Sequence, residues 1–453
     1  MATAEDLLTL LADGASSSTA LTEALGISQP TLSRLISPLL QTERVLKIGR
    51  TRGARYALRR EIRGAGSAWP LFRIDRTGAS HALGTLYSLA AGQFYFATLS
   101  NEDFRPSELS SGLPYFLQDQ RPGGFLGRGV PKRYPELNLP QRTTDWTDDH
   151  YLLYLTQHGG DPLGDLVLGD AALNECLAAI GHRQSIKNRA QEFPKVLRTA
   201  IEGGLPGSSA HGEHPKFAAF VEDTRGARHV LVKFSPPLAN PIGQRWSDLL
   251  VAEHIAHVVL ADDGIAACRS QIHRFEDHTY LVIDRFDRLG NDGRIGVTSL
   301  FAVDLNHYGQ LDNWITASSR LLNDRMIDAT TLEQVSLLST FGALIGNTDR
   351  HFGNLSFFDT YDGTFALTPS YDMLPMLFAP EHNQIIARTF EPARPTADTM
   401  ACYARARRLA EQYWRTVASD TRISEDFRRM SAECLAALEA LPRTGPYSAN
   451  LAP

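Results

Sequence analysis

Gly346-Asn347-Thr348-Asp349-Arg350-His351-Phe352-Gly353-Asn354 is the stretch from which the rest of the chain is read. It follows an apolar helical run (Leu337, Leu338, Phe341, Leu344, Ile345) and sets Asp349 five residues before Asn354 in a loop. Asp-x-x-x-x-Asn is the spacing of a phosphotransfer loop. The Asp orients an attacking hydroxyl and accepts its proton, and the Asn amide oxygen ligates magnesium on nucleotide phosphates. Loops use both residue types for turns, so the spacing alone is a weak signal. A phosphotransfer site also needs a phosphate lysine, a carboxylate to orient it and a second metal ligand.

Working outward, Tyr371-Asp-Met-Leu-Pro375 follows two alternating strands, Leu355–Phe358 and Thr364–Leu367, and returns Asp372 as that second ligand. Upstream, the apolar strand His229-Val-Leu-Val-Lys-Phe234 carries Lys233, the expected partner of the α- and β-phosphates. Glu253, in the helical run Asp248–Leu260, is placed to orient it by an ion pair. Thr279-Tyr-Leu-Val-Ile-Asp-Arg-Phe-Asp-Arg288 occupies the position of a hinge, where backbone groups near Val282, Ile283 and Asp284 are expected to meet an adenine edge. Gly203–Gly212, rich in Gly and Ser, is a loop over which backbone N–H groups can approach phosphates. His254 and His257 fall at helical spacing without an evident third ligand, which favours packing over metal.

The chain's 453 residues predict two or three domains, and its 43% apolar content is ordinary for a protein with packed cores. No apolar run is long enough to span a bilayer, and the first residues lack the basic and apolar regions of a signal peptide. Four dispersed cysteines without a C-x-x-C pair point to reduced thiols. The expected location is the cytoplasm, with no membrane partner. A net charge of −6 excludes a globally basic nucleic-acid coat, but the charge is uneven: Arg44 to Arg63 holds eight Lys/Arg against one acid.

That basic edge closes three periodic segments, Asp6–Ala12, Ser18–Leu25 and Pro30–Leu40, with Gly26-Ile27-Ser28 as the turn and Ser28 as N-cap. The order is that of a winged helix–turn–helix. Gln29, Thr31, Ser33 and Arg34 would meet the DNA major groove, and a hairpin of Val45–Ile48 and Ala54–Leu58 would carry Arg50, Arg52 and Arg55 toward phosphates. Pro38 is expected to kink or shorten the second helix. Gly64–Ala68 reads as a linker, Leu71–Leu99 as a small strand-rich module, and Ser110–Arg142 as irregular surface without chemistry. Ala401–Val417 and Ser424–Ala440 read as amphipathic helices, with Arg405, Arg407 and Arg408 on a solvated face.

From about Tyr154 to Ala440 the ordered motifs resemble the HipA family, serine/threonine kinases that act as toxins in toxin–antitoxin modules. The most specific are Gly346-Asn-x-Asp-x-His-x-x-Asn354, Asp284-Arg-Phe-Asp-Arg288 and Asp372-x-x-Pro375, joined by His158-Gly-Gly-Asp-Pro-Leu-Gly-Asp165. The resemblance implies Asp349 as catalytic base, Asn354 and Asp372 as magnesium ligands, Lys233 as phosphate lysine, and ATP and Mg2+ as cofactors. Ser209-Ala-His-Gly212-Glu-His-Pro-Lys216 fits the family's nucleotide loop, which implies ATP binding at Ser209 and Gly212 and autophosphorylation of Ser209. Implied substrates are proteins, aminoacyl-tRNA synthetases among them. Typical members borrow a DNA-binding domain from a separate antitoxin; here one is fused in cis, so the sequence does not require that partner. The fused form, with Gly112-Leu-Pro-Tyr-Phe-Leu117 and Arg121-Pro-Gly-Gly-Phe-Leu-Gly127, resembles the YjjJ branch.

The expected architecture is α+β. A winged helix–turn–helix (1–63) and a strand-rich subdomain (64–150) precede a bilobal, protein-kinase-like domain with a mixed N-lobe (151–287) and a helical C-lobe (288–453). The expected function is a growth-inhibitory protein kinase with an autoregulatory DNA-binding domain. The alternatives are a nucleotide-sensing transcriptional regulator with little kinase activity and a small-molecule kinase.

Overall fold

The computed structural model describes residues 2–50, 53–100, 104–180, 182–202, 214–382 and 384–442. Arg52, Ser209 and Gly212, three of the expected site residues, lie outside the described residues.

The N-terminal module contains α1 (Ala4–Ala12), β1 (Ser16–Ser17), α2 (Ser18–Leu25), α3 (Gln29–Gln41), β2 (Val45–Ile48) and β3 (Arg55–Leu58). The strands form an antiparallel sheet in the order β1-β3-β2. Leu7, Leu11, Leu21, Leu32, Ile36, Leu39 and Val45 supply the core, each helix giving one apolar stripe. Gly26 ends α2 at φ 62, a left-handed cap that glycine adopts without a Cβ penalty. Two local expectations are corrected. α3 runs through Pro38, because the proline removes one N–H while buried Ile36 and Leu39 on either side hold the helix in place. Ser28 occupies the N-cap position, but its hydroxyl bonds the Thr31 hydroxyl (3.0 Å) rather than a backbone N–H.

The middle region is a five-stranded antiparallel sheet, ordered β7-β6-β5-β4-β8, of β4 (Ala68–Ile74), β5 (Ser80–Ser88), β6 (Gln93–Thr98), β7 (Glu108–Ser111) and β8 (Leu166–Leu168). Short helices α4 (Gly124–Arg128) and α5 (Val130–Arg133) precede α6 (Asp148–His158), with α7 (Asp170–Ala179) after β8. Gly64–Ala68 is not a free linker. Gly66 and Ile62 exchange backbone hydrogen bonds (2.8 and 2.9 Å), and the Trp69 indole donates to Ala65 O (2.6 Å). Nor is Ser110–Arg142 merely surface: Leu113, Phe116, Leu117, Asp119 and Gln120 are buried, because a 3-10 turn over Tyr115–Gln120 lays them on the sheet.

Next come α8 (Arg189–Ile201), β9 (Lys216–Asp223), β10 (Gly226–Phe234), α9 (Pro241–Asp262), β11 (Ser270–Phe275) and β12 (His278–Asp284), the strands ordered β11-β12-β10-β9 and antiparallel. A two-stranded ribbon, β13 (Arg288–Leu289) with β14 (Gly293–Arg294), leads to β15 (Val297–Ser299), α10 (Leu300–His307), α11 (Trp314–Asn323) and α12 (Ala329–Leu344). β16 (Ser356–Asp359) pairs with β15 on one side and with β17 (Phe365–Leu367) on the other, and α13 (Met400–Ser419) and α14 (Glu425–Glu439) follow. The largest core joins α9, α12 and α13 through Leu249, Ile255, Phe341, Leu344, Tyr413 and Trp414. Arg405 and Arg408 are not simply solvated, since both pair with Asp263 (2.7 and 3.0 Å). Arg407 is buried, donating to Glu411 (2.8 Å). No helix among the described residues is long and apolar enough to cross a membrane.

Candidate active site

β9 and β10 are read in register, and the register sets Lys216 directly opposite Lys233. Both side chains are buried and both line one cavity, shared with Leu231, Cys268, Ile283, Phe286, Asn354 and Asp372. Like charges opposite one another on paired strands repel, so this pair needs anions. Glu253, fully buried on α9, accepts from Lys233 Nζ through both oxygens (2.6 and 2.7 Å), and Asp372 accepts from the same ammonium. Burial works against the Lys233 charge, but Asp372 and Glu253 hold the ammonium well above the usual lysine range. For Asp372, burial would raise the carboxyl; Lys233 and then Lys216 bring it down to about 2. Asp372 adopts φ 51, a strained backbone region for a non-glycine residue of the kind that concentrates at functional sites.

α12 ends at Leu344, and the quoted loop crosses beneath this cluster. Asn347, buried at the turn, accepts from Asp349 N (2.9 Å) and donates to Asp372 O (3.3 Å), tying the loop to the returning strand. Asn354 Nδ2 donates to Asp349 O (2.8 Å), and Tyr371 Oη donates to Gly353 O (2.9 Å). Asp349 itself stands at the edge of the site with its side chain 50% exposed. Burial raises its carboxyl, opposed by His351 and assisted by Asp372.

Lys233, Glu253, Asn354 and Asp372 are therefore brought together as the sequence anticipates, with Asp349 beside them. Ile283 and Asp284 reach the cavity, although Asp284 also pairs with Arg225 (2.9 Å) and Arg228 (2.8 Å). Val282 lies mid-strand, paired with Val232 of β10 on one side and Gln271 of β11 on the other, so its backbone belongs to the sheet. Successive strand residues face opposite sides, and its side chain packs in the core with Phe193, Val230 and Val232. The strand's N–H groups are also committed, Asp284 N to Arg269 O (2.9 Å) and Arg285 N to His229 O (3.0 Å). Neither of these two N–H groups is therefore left for a base edge. The Asp284–Arg288 segment instead forms a lock: Arg288 binds Asp161 (2.7 Å) and Asp287 (2.7 Å), and Gly164 N donates to Asp287 (3.0 Å).

Among the described residues no group of three or more His, Cys, Asp or Glu could hold a metal ion alone. His254 and His257 both bond Ser270 Oγ (2.9 and 3.0 Å). Sequence reasoning gave no role to Asn347, Asp119 or Tyr371, and placed Lys216 only as the end of a pattern. The strand register opposite Lys233 is the signal that would have singled Lys216 out.

In the N-terminal module Gln29, Ser33, Arg34, Arg50 and Arg55 are exposed and Thr31 half-buried. Two of the basic residues turn inward: Arg59 pairs with Glu43 (2.7 Å), and Arg60 grips Asp149 on α6 (2.6 Å).

Comparison with known proteins places this arrangement. Residues 65–177 match the middle domain of YjjJ-like toxins, and residues 208–441 match the HipA-like C-terminal domain. Toxin YjjJ of Escherichia coli (strain K12) is 35% identical over 432 residues, covering 94% of this chain and 96% of the relative. Among solved structures, the toxin–antitoxin complex of HipA, HipB and operator DNA from Shewanella oneidensis MR-1 shares the fold. Its TM-score is 0.53 at 16% identity, over 82% of this chain and 96% of that one. From that span of identity and those two matched regions, the chain belongs to the YjjJ-like toxin family, built on a HipA-like C-terminal domain.

Proposed function

We propose that the protein is an ATP- and magnesium-dependent serine/threonine protein kinase of the HipA toxin type. The observation that carries this reading is the cross-strand pair Lys216–Lys233, buried in one cavity with Asn354 and Asp372. Two buried ammonium groups facing two carboxylates and an amide suit a polyphosphate that arrives with its own cation. Lys216 and Lys233 would bind phosphate oxygens, with Glu253 holding Lys233 in place. Asn354 commits its amide nitrogen to the loop and leaves its oxygen, with Asp372, for magnesium. Two protein oxygens complemented by phosphates are what a hard, small cation prefers, which fits the lack of a self-sufficient metal cluster among the described residues. Bound magnesium would supply charge neutralisation on the phosphates. Asp349 would align a substrate hydroxyl and take its proton, and a carboxyl raised by burial is a better acceptor for that task. Its half-exposed position favours a serine or threonine on a macromolecule over a small enclosed metabolite.

The N-terminal module is read as a winged helix–turn–helix that contacts DNA through Gln29, Thr31, Ser33, Arg34, Arg50, Arg52 and Arg55. Growth inhibition is read from kinship with the YjjJ-like toxins, and autoregulation from the DNA contacts of this module. The test is incubation of purified protein with γ-labelled ATP and cell extract. Label in protein bands is expected with wild type, and at least about a hundredfold less with Asp349→Asn. Equal labelling by both proteins, or label only in metabolites, contradicts the reading.

A further inference from the structure

The cavity has a wall that phosphate chemistry does not use. Asp119 belongs to the 3-10 turn Tyr115–Gln120 of the middle region, yet it reaches across to the strand leading into α10. Ser299 N donates to its Oδ2 (2.6 Å) and Ser299 Oγ to its Oδ1 (2.6 Å). Ser299 is the N-cap of α10 and the register partner of Ser356, which lies two residues after Asn354. Asp119, Ser299, Gly353, Ser356 and Tyr371 all face the cavity that holds the two lysines.

This geometry constrains a nucleotide. With its phosphates on Lys216 and Lys233, its cation on Asp372, and its base against the apolar wall of Leu231, Ile283 and Phe286, a nucleotide would place its sugar between them. There it would meet Gly353, Ser356 and Ser299, which line the same cavity. A carboxylate has about four acceptor positions on its two oxygens, and Ser299 takes two. The remaining two match a vicinal pair of hydroxyl donors, while a carboxylate beside a phosphate would repel it. Resting on the phosphotransfer reading above, we propose that Asp119, supplied by the middle region, binds the ribose hydroxyls of the nucleotide and makes the site selective for ribonucleotides over deoxyribonucleotides. The middle region then completes the nucleotide site in addition to covering the domain beside it.

Calorimetric titration of the full chain with Mg-ADP and Mg-2′-deoxyADP tests this without turnover. Wild type is expected to bind ADP about tenfold or more tightly than 2′-deoxyADP, the usual scale for one hydrogen bond to a charged group. Asp119→Asn and, as a second variant, Asp119→Ser are expected to lose that ratio by weakening ADP alone. A residue that only clamps Ser299 would weaken both nucleotides equally, and that outcome overturns the proposal. Equal wild-type affinities for the two nucleotides also overturn it and leave the nucleotide site standing. Binding of neither nucleotide by wild type overturns the phosphotransfer reading and this proposal together.

Discussion

Lys233 sits between Glu253 and Asp372 where water has little access, and its ammonium is the hinge of the site's electrostatics. This triad was legible in the sequence because a lysine on an apolar strand, a glutamate one helix later and an aspartate after a hairpin have few joint explanations. Asp119 was not, since its partner Ser299 lies 180 residues away and neither residue type is unusual in a Gly/Pro-rich stretch. For Val282 the sequence showed a strand but not that neighbours flank it on both sides, where it pairs with Val232 and Gln271. A second buried carboxylate gives a pH test. Burial pushes the Asp165 carboxyl up to about 6, with Asp359 adding, although Tyr361 donates a hydrogen bond to it. A raised acid keeps its proton in the folded chain after the unfolded chain has lost it. Stability contributed here is thus complete below the unfolded value near 3.8 and lost as pH rises through about 6. Urea unfolding from pH 4 to 7 should show wild type losing about 2 kcal/mol relative to Asp165→Asn. A flat difference between the two proteins would show that the buried acid is not perturbed.

At the level of elements, turn chemistry and packing separate two glycines that look alike in sequence. Gly26 caps α2 at φ 62, with nothing within 4 Å of where a Cβ would stand. Gly84 on β5 has an ordinary backbone, but a Cβ there would lie 2.3 Å from Ala97 O and 2.6 Å from the Phe96 ring. Phe96 is itself fixed by edge-on contacts with Phe104 and Phe116, ring centroids 5.5 and 5.6 Å away. Gly26→Ala should therefore cost only about 1 kcal/mol of backbone strain. Gly84→Ala should cost about 3 kcal/mol through forced separation of β5 and β6. Thermal unfolding ranks them, and a larger loss at Gly26 would contradict the packing described. Element types were read correctly where the periodicity was strong, in α1 to α3, in β10 and in the two C-terminal helices. The fate of Ser110–Arg142 was hidden because Gly and Pro mark a broken backbone without saying whether the turns are exposed. Here the apolar residues among them, Leu113, Phe116 and Leu117, decide for burial.

Across the whole molecule the three regions are tied by polar contacts that no local pattern displays. Ala15 N donates to Gln93 (2.8 Å), Arg60 holds Asp149 (2.6 Å), and Arg105 between β6 and β7 pairs with Asp359 on β16. Asp119 carries the connection into the cavity itself. Order along the chain was legible because lysine, glutamate, loop and aspartate follow one another as in the HipA family that the motifs resemble. The docking of the regions was not, because single long-range ion pairs leave no periodic trace. The central claim is that the two facing lysines, with Asn354 and Asp372, exist to hold a magnesium-bound polyphosphate. Calorimetric titration of the full chain with ATP, with and without Mg2+, tests it most directly. One site per chain is predicted, strengthened at least tenfold by Mg2+ and lost in Lys233→Met. Binding that ignores the metal, or that survives in Lys233→Met, would contradict the account.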